Sequence, residues 1–209
     1  MALVDANYKF IAIDVGAYGR NSDGGILANS NLGKAIASES MHFPTDACLP
    51  GADQLGPLPY VMIGDEAFPL QKHLLRPFPG KGCEVNKQIF NYRLSRARRI
   101  VESAFGILAV RWRIYNTKIG VRPELANDII KATCVLHNFL QSQSTPAHVT
   151  NILAEAADIA AEGIENLAHS GNRGGEDAIT IRNKYMEYFV DYSQVSWQIA
   201  RVNRGVFMA

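Results

Sequence analysis

Three acidic residues stand where acids are uncommon: Asp23 in the glycine-rich stretch 16–25, Asp65 after the apolar run Tyr60-Val61-Met62-Ile63-Gly64, and Glu102 inside an arginine-rich segment. Hard divalent ions take few carboxylate ligands and keep several waters, so acids gathered from a strand end and a facing helix can hold two such ions for phosphodiester hydrolysis. One ion would polarise the attacking water and the other would stabilise the leaving oxygen. Each acid also has a plainer use. Asp23 could cap the helix that follows, Asp65 could be an ordinary turn aspartate, and Glu102 is spaced to pair with Arg98 or Arg99 on one helix face.

Phosphate chemistry needs cations beside those acids, and the chain segregates them. The net charge is only +1, yet residues 72–122 hold 12 Lys/Arg against 2 Asp/Glu, while residues 1–71 hold 3 against 8 and residues 123–209 hold 6 against 10. A block of that density favours polyanion contact over a merely solvated face. Arg93, Arg96, Arg98, Arg99, Arg111 and Arg113 are its candidate DNA phosphate contacts.

The elements that would position these residues follow from the pattern. Leu3-Val4, a turn at Asp5-Ala6-Asn7, and the alternating run 8–15 predict a hairpin. Because Met1 sits almost on the turn, the first strand is only about four residues long, which suggests a natural start further upstream. Residues 26–39 have helical spacing, with Ser22 or Asp23 near the N-cap. Residues 42–59 read as a loop, and residues 60–65 as a buried central strand that delivers Asp65 at its C-terminal edge. A long helix is predicted from about Asn86 to Trp112, with a stripe of Ile89, Leu94, Ala97, Val101, Phe105 and Leu108. A second helix over 123–143 opens on Pro123 and would bury Leu125, Ile129, Ala132, Leu136 and Leu140. His137 on that helix reads as a hydrogen-bonded core histidine. Residues 144–180 read as peripheral and poorly ordered, and a short amphipathic helix is expected near 182–190. The organisation is thus a domain over 1–143 and a peripheral, partly disordered segment over 144–209.

Several classes are excluded by composition. With 47% hydrophobic and 9% aromatic residues, the chain can bury a core and is not globally disordered. No apolar run reaches the length of a membrane span, and the amino terminus lacks the basic and apolar regions of a signal peptide. Cys48, Cys83 and Cys134 show no metal-ligand spacing and are expected as free thiols.

Together, Val4-Asp5-Ala6-Asn7-Tyr8, residues 19–25, residues 63–69, Phe90-Asn91-Tyr92, Arg96-Ala97-Arg98 through Val101-Glu102, Phe105-Gly106 and Val135-Leu136-His137-Asn138 resemble the nuclease domain of the PIF/Harbinger transposases and their domesticated relatives. The resemblance covers about residues 3–142, with a weaker echo near Tyr185–Phe189 and Trp197-Gln198. It implies an α/β, ribonuclease H-like fold, a mixed sheet flanked by helices, and an Asp-Asp-Glu set that cuts DNA with Mg²⁺ or Mn²⁺. Asp65 matches the second catalytic aspartate and Glu102, 37 residues later, the final glutamate. Asp23 matches an additional metal-associated acid. The family's first aspartate lies on a strand before the hairpin, and no residue here matches it. Nor does any segment match the family's amino-terminal helical DNA-binding region. A site lacking that bridging carboxylate is expected to hold metal weakly and turn over poorly. The implied partners are DNA and a Myb-like companion protein, with no membrane. The implied location is nuclear, with the cytoplasm as a second compartment. The alternative is a catalytically inactive DNA-binding or protein-interaction module, whose DNA affinity would fall steeply with salt and survive Glu102→Gln.

Overall fold

A computed structural model describes residues 1–16, 23–38, 40–80, 83–160 and 174–203, of which 23, 158–160 and 201–203 are described by main chain alone. The chain forms two compact units, Met1–Asn21 with Arg99–Glu165 and Ser22–Arg98 with Asn166–Ala209. Each unit combines segments that are distant in sequence.

In the first unit β1 (Ala2–Val4) pairs antiparallel with β2 (Phe10–Ile13). Asp5 closes the hairpin: its Oδ1 accepts from the amides of Asn7 at 2.8 Å and Lys9 at 2.9 Å. That tight return places Tyr8 at φ +63°, a left-handed conformation rare for so bulky a residue. The carboxyl-terminal part of α3 (Val85–Arg111), then α4 (Pro123–Gln143) and α5 (Pro146–Ala160), complete the unit. Its apolar cluster is Phe10, Ala104, Leu108 and Cys134. Gly106 is needed where α3 meets α5, since a methyl group there would lie 2.9 Å from the Cβ of Ala156.

Two helix expectations are corrected in this unit. Residues 146–160 form α5, not the poorly ordered segment expected from their alanine-rich sequence; Ile152 and Ala156 are buried and hold it. Of the rest of that expectation, 161–173 lie outside the described residues, and Glu176 onward is helical in the second unit. Helix α4 has the predicted bounds but the opposite face inward. Thr133, Cys134, His137 and Gln141 are buried, whereas Leu125, Val135, Leu136, Phe139 and Leu140 are exposed.

In the second unit the expected helix over 26–39 is two: α1 (Asp23–Asn29) and α2 (Asn31–Ala37). Ser30 breaks and caps them, its Oγ donating to the carbonyl of Leu27 at 2.7 Å and accepting from the amide of Gly33 at 2.9 Å. The run 60–65 yields only the short, half-buried β3 (Met62–Ile63), paired parallel with β4 (Leu74–Leu75), in place of a long buried strand. The amino-terminal part of α3 packs with α6 (Glu176–Glu187) around Leu70, Leu75, Phe78, Phe90, Leu94, Ala178 and Ile181. The helix expected near 182–190 therefore starts earlier, and runs into a π-helical turn at Tyr188–Tyr192. Helix α7 (Gln198–Asn203) follows. The architecture is mixed α/β. Among the described residues the strands form two separate two-stranded ladders, where one mixed sheet was expected.

Candidate active site

Asp65 leaves β3 directly into a turn. Gly64 precedes it because a side chain there would strike the ring of Phe68, 2.8 Å from the Cβ position. The amide of Gly64 donates to the carbonyl of Leu75 at 2.9 Å, so the strand pairing ends one residue before the acid. Asp65 Oδ1 then accepts from the amide of Ala67 at 2.9 Å, the local bond of a turn aspartate. Its Oδ2 points elsewhere, to Arg98 Nη1 at 4.0 Å. The plainer reading of Asp65 thus accounts for one oxygen and leaves the other directed at a cation.

The main chain of α1 reaches the same turn. A methyl group on Gly24 would sit 3.0 Å from the carbonyl oxygen of Ala67, so the backbone of Asp23 lies beside the Asp65 turn. The Asp23 side chain is outside the description, as are Ser22 and the motif residues 19–22. Glu102 is an exposed residue of α3 within the first unit. It is described apart from Asp65, which belongs to the second. For a divalent ion the donor chemistry fits, since hard carboxylate oxygens suit Mg²⁺ or Mn²⁺. Among the described residues no three His, Cys, Asp or Glu side chains converge as a metal group.

The six candidate arginines divide into two kinds. Arg93 is turned into the fold: its guanidinium donates to the Ser193 carbonyl at 2.8 Å and to Gln198 Oε1 at 3.3 Å, and lies 4.7 Å from the Phe189 ring. Burial lowers its pKa, opposed by Tyr188 and helped by Arg96. Arg111 is likewise internal, donating to the His137 carbonyl, to Gln141 Oε1 at 3.0 Å and to the Ser144 hydroxyl at 3.2 Å. Burial lowers its pKa too. By contrast Arg96, Arg99 and Arg113 are exposed, and Arg98 is half-buried against Asp65. Arg96 rests over the Trp197 ring at 4.3 Å.

Two buried side chains hold this scaffold. His137 is fully buried; Nε2 donates to the Tyr8 carbonyl at 2.7 Å, and Nδ1 faces Arg111 Nη1 at 3.5 Å. It is the core histidine expected from its apolar surroundings. Burial lowers its pKa, opposed by the Tyr8 bond and reinforced by Arg111. Asn138, which the sequence reading did not single out for a role, brackets β2, accepting from the Phe10 amide and donating to the Phe10 carbonyl, each at 2.8 Å. Two adjacent polar residues, His137-Asn138, inside the apolar stretch 134–140 were the available signal.

Comparison with known proteins settles the lineage. The family described as DDE superfamily endonuclease matches residues 1–138 of the chain. The chain belongs to the DDE superfamily endonucleases. Consistent with this, it is similar to a Protein ALP1-like of Arabidopsis thaliana, 32% identical over 141 residues, which are 66% of this chain and 34% of the relative. The chain therefore spans about a third of the length of that curated relative. No solved structure matches. The PIF/Harbinger resemblance carried by the motifs agrees with both matches, and the DDE match contains Asp23, Asp65 and Glu102. Among the described residues no helix is long and apolar enough to cross a membrane.

Proposed function

We propose that this chain is a transposase-derived DNA endonuclease domain whose chemistry is phosphodiester hydrolysis with Mg²⁺ or Mn²⁺ on a ribonuclease H-like plan, and whose turnover is slow because no residue here matches the first catalytic aspartate. Asp65 and Glu102 are its catalytic carboxylates and Asp23 an additional metal ligand. The observation that carries this reading is the division of labour on Asp65: the turn pins one oxygen and the other faces a cation, with the α1 backbone next to the Asp23 position against the same turn.

When bound, the metal supplies Lewis-acid activation of water and of the leaving oxygen. The protein's own part is to fix carboxylates and to neutralise DNA. Ala67 fixes the rotamer of Asp65, so less ordering entropy is lost when a ligand is taken. Arg96, Arg98, Arg99 and Arg113 contact phosphates, while Arg93 and Arg111 hold the scaffold that presents them. DNA as substrate, a Myb-like companion and a nuclear location complete the proposal.

Supercoiled plasmid incubated with purified protein and Mn²⁺ tests the reading. Nicking that disappears in Asp65→Ala and in Glu102→Gln is expected. Absence of nicking, or nicking unchanged in Asp65→Ala, overturns it.

A further inference from the structure

The partner of the Asp65 Oδ2 atom has a consequence for how a metal could arrive. Arg98 Nη1 lies 4.0 Å away, and the two side chains are only 23% and 31% exposed, respectively. That separation is beyond hydrogen-bonding distance and far from the short, parallel bonds of a bidentate arginine clamp. The pairing supplies charge compensation to a carboxylate partly withdrawn from water, without the geometry that would make it costly to break. The other oxygen already accepts from the Ala67 amide at 2.9 Å, so Oδ2 is the more available atom for a cation.

Resting on the metal-nuclease reading above, we propose that Arg98 is the resident counter-cation of Asp65. A divalent ion displaces it from Oδ2, and the released guanidinium then takes a phosphate of the DNA. A guanidinium and a divalent cation cannot both sit at one carboxylate oxygen without strong like-charge repulsion. The arginine stem keeps the displaced head near the site, where the substrate backbone is the anion to which its fork is suited. Arg98 is therefore a positioning residue that couples metal occupancy to DNA affinity. By linkage the coupling is reciprocal: DNA that captures Arg98 also makes Asp65 a better metal ligand. The sequence spaces Glu102 to pair with Arg98 or Arg99 on one helix face; the Asp65 pairing comes only from the fold.

The test is Mn²⁺ titration of the whole chain, followed by the electron paramagnetic resonance signal of free Mn²⁺. Wild type, Arg98→Gln and Asp65→Asn are compared, with duplex binding measured in parallel with and without Ca²⁺. Removing the competing charge is expected to tighten Mn²⁺ binding about tenfold in Arg98→Gln. Ca²⁺ is expected to raise duplex affinity in wild type and to lose most of that effect in Arg98→Gln. Equal or weaker Mn²⁺ binding in Arg98→Gln, with binding still lost in Asp65→Asn, overturns the counter-cation role and leaves the nuclease reading standing. No Mn²⁺ binding in either wild type or Arg98→Gln overturns both. If Arg98→Gln does not melt cooperatively, Arg98→Met takes its place, since it also keeps an aliphatic stem. Failure of both to fold makes Arg98 a scaffold residue and overturns the proposal.

Discussion

The unit Ser22–Arg98 with Asn166–Ala209 closes around an apolar cluster in which Phe90 and Leu75 are almost completely buried, whereas the unit Met1–Asn21 with Arg99–Glu165 buries Thr133, His137 and Gln141 from α4 and exposes that helix's Val135, Leu136 and Phe139. Both units bury apolar residues and hydrogen-bonded polar side chains, Ser30 and Gln198 among the latter in the unit around Phe90; what sets the other unit apart is that its buried polar side chains are gathered on one face of α4. The face a helix buries is set by what the other elements offer it. In the first unit, β2 and its turn present main-chain groups at Tyr8 and Phe10, and His137 and Asn138 are the side chains that satisfy them. This face of α4 satisfies those main-chain groups, and Leu125, Val135, Leu136, Phe139 and Leu140 are left exposed on the other.

Cutting the apolar cluster is expected to have the largest effect. Phe90→Ala should destabilise its unit by about 3–5 kcal/mol, read as a fall in the urea midpoint. A loss below about 1 kcal/mol would mean that the cluster is not the support it resembles. The other unit should answer next. His137→Leu keeps bulk but leaves the Tyr8 carbonyl without its donor, and should cost about 2–3 kcal/mol by the same measurement. Its pH dependence gives a second handle. His137 has a lowered pKa in the fold, chiefly through burial, so the unfolded chain binds the proton more readily. Stability from this residue is complete above the ordinary histidine value of about 6.5 and declines as pH falls below it. That acid-side slope should shrink in His137→Leu. Smallest of all should be Phe139→Ser on the exposed face of α4, within about 0.5 kcal/mol of wild type. A large loss there would mean that this face of α4 is covered in solution.

The same contrast explains what the sequence made legible. Helix α3 and helix α4 were readable nearly to the residue, because a long periodic run and Pro123 at the first turn are local signals. The buried face of α4 was not, since apolar residues occur around most of its circumference and the deciding partners lie 128 or 129 positions away. The break at Ser30 was missed for the opposite reason: it is local, but its cap competes with helical spacing that continues on both sides. At the site, Asp65 was legible as a carboxylate spent at a strand end. Its division between the Ala67 amide and Arg98 was not, because the turn bond and the ion pair depend on tertiary placement. Arginine density correctly marked a basic block, yet could not separate Arg93 and Arg111, which face inward, from Arg99 and Arg113, which face solvent.

Metal ligation by Asp65 is the claim on which the functional account turns, and exchanging its oxygen for sulfur tests it most directly. Plasmid nicking by Asp65→Cys is predicted to be lost with Mg²⁺ and to return in part with Mn²⁺, which accepts a sulfur ligand more readily. Nicking by Asp65→Cys at the wild-type rate with Mg²⁺ would contradict the account.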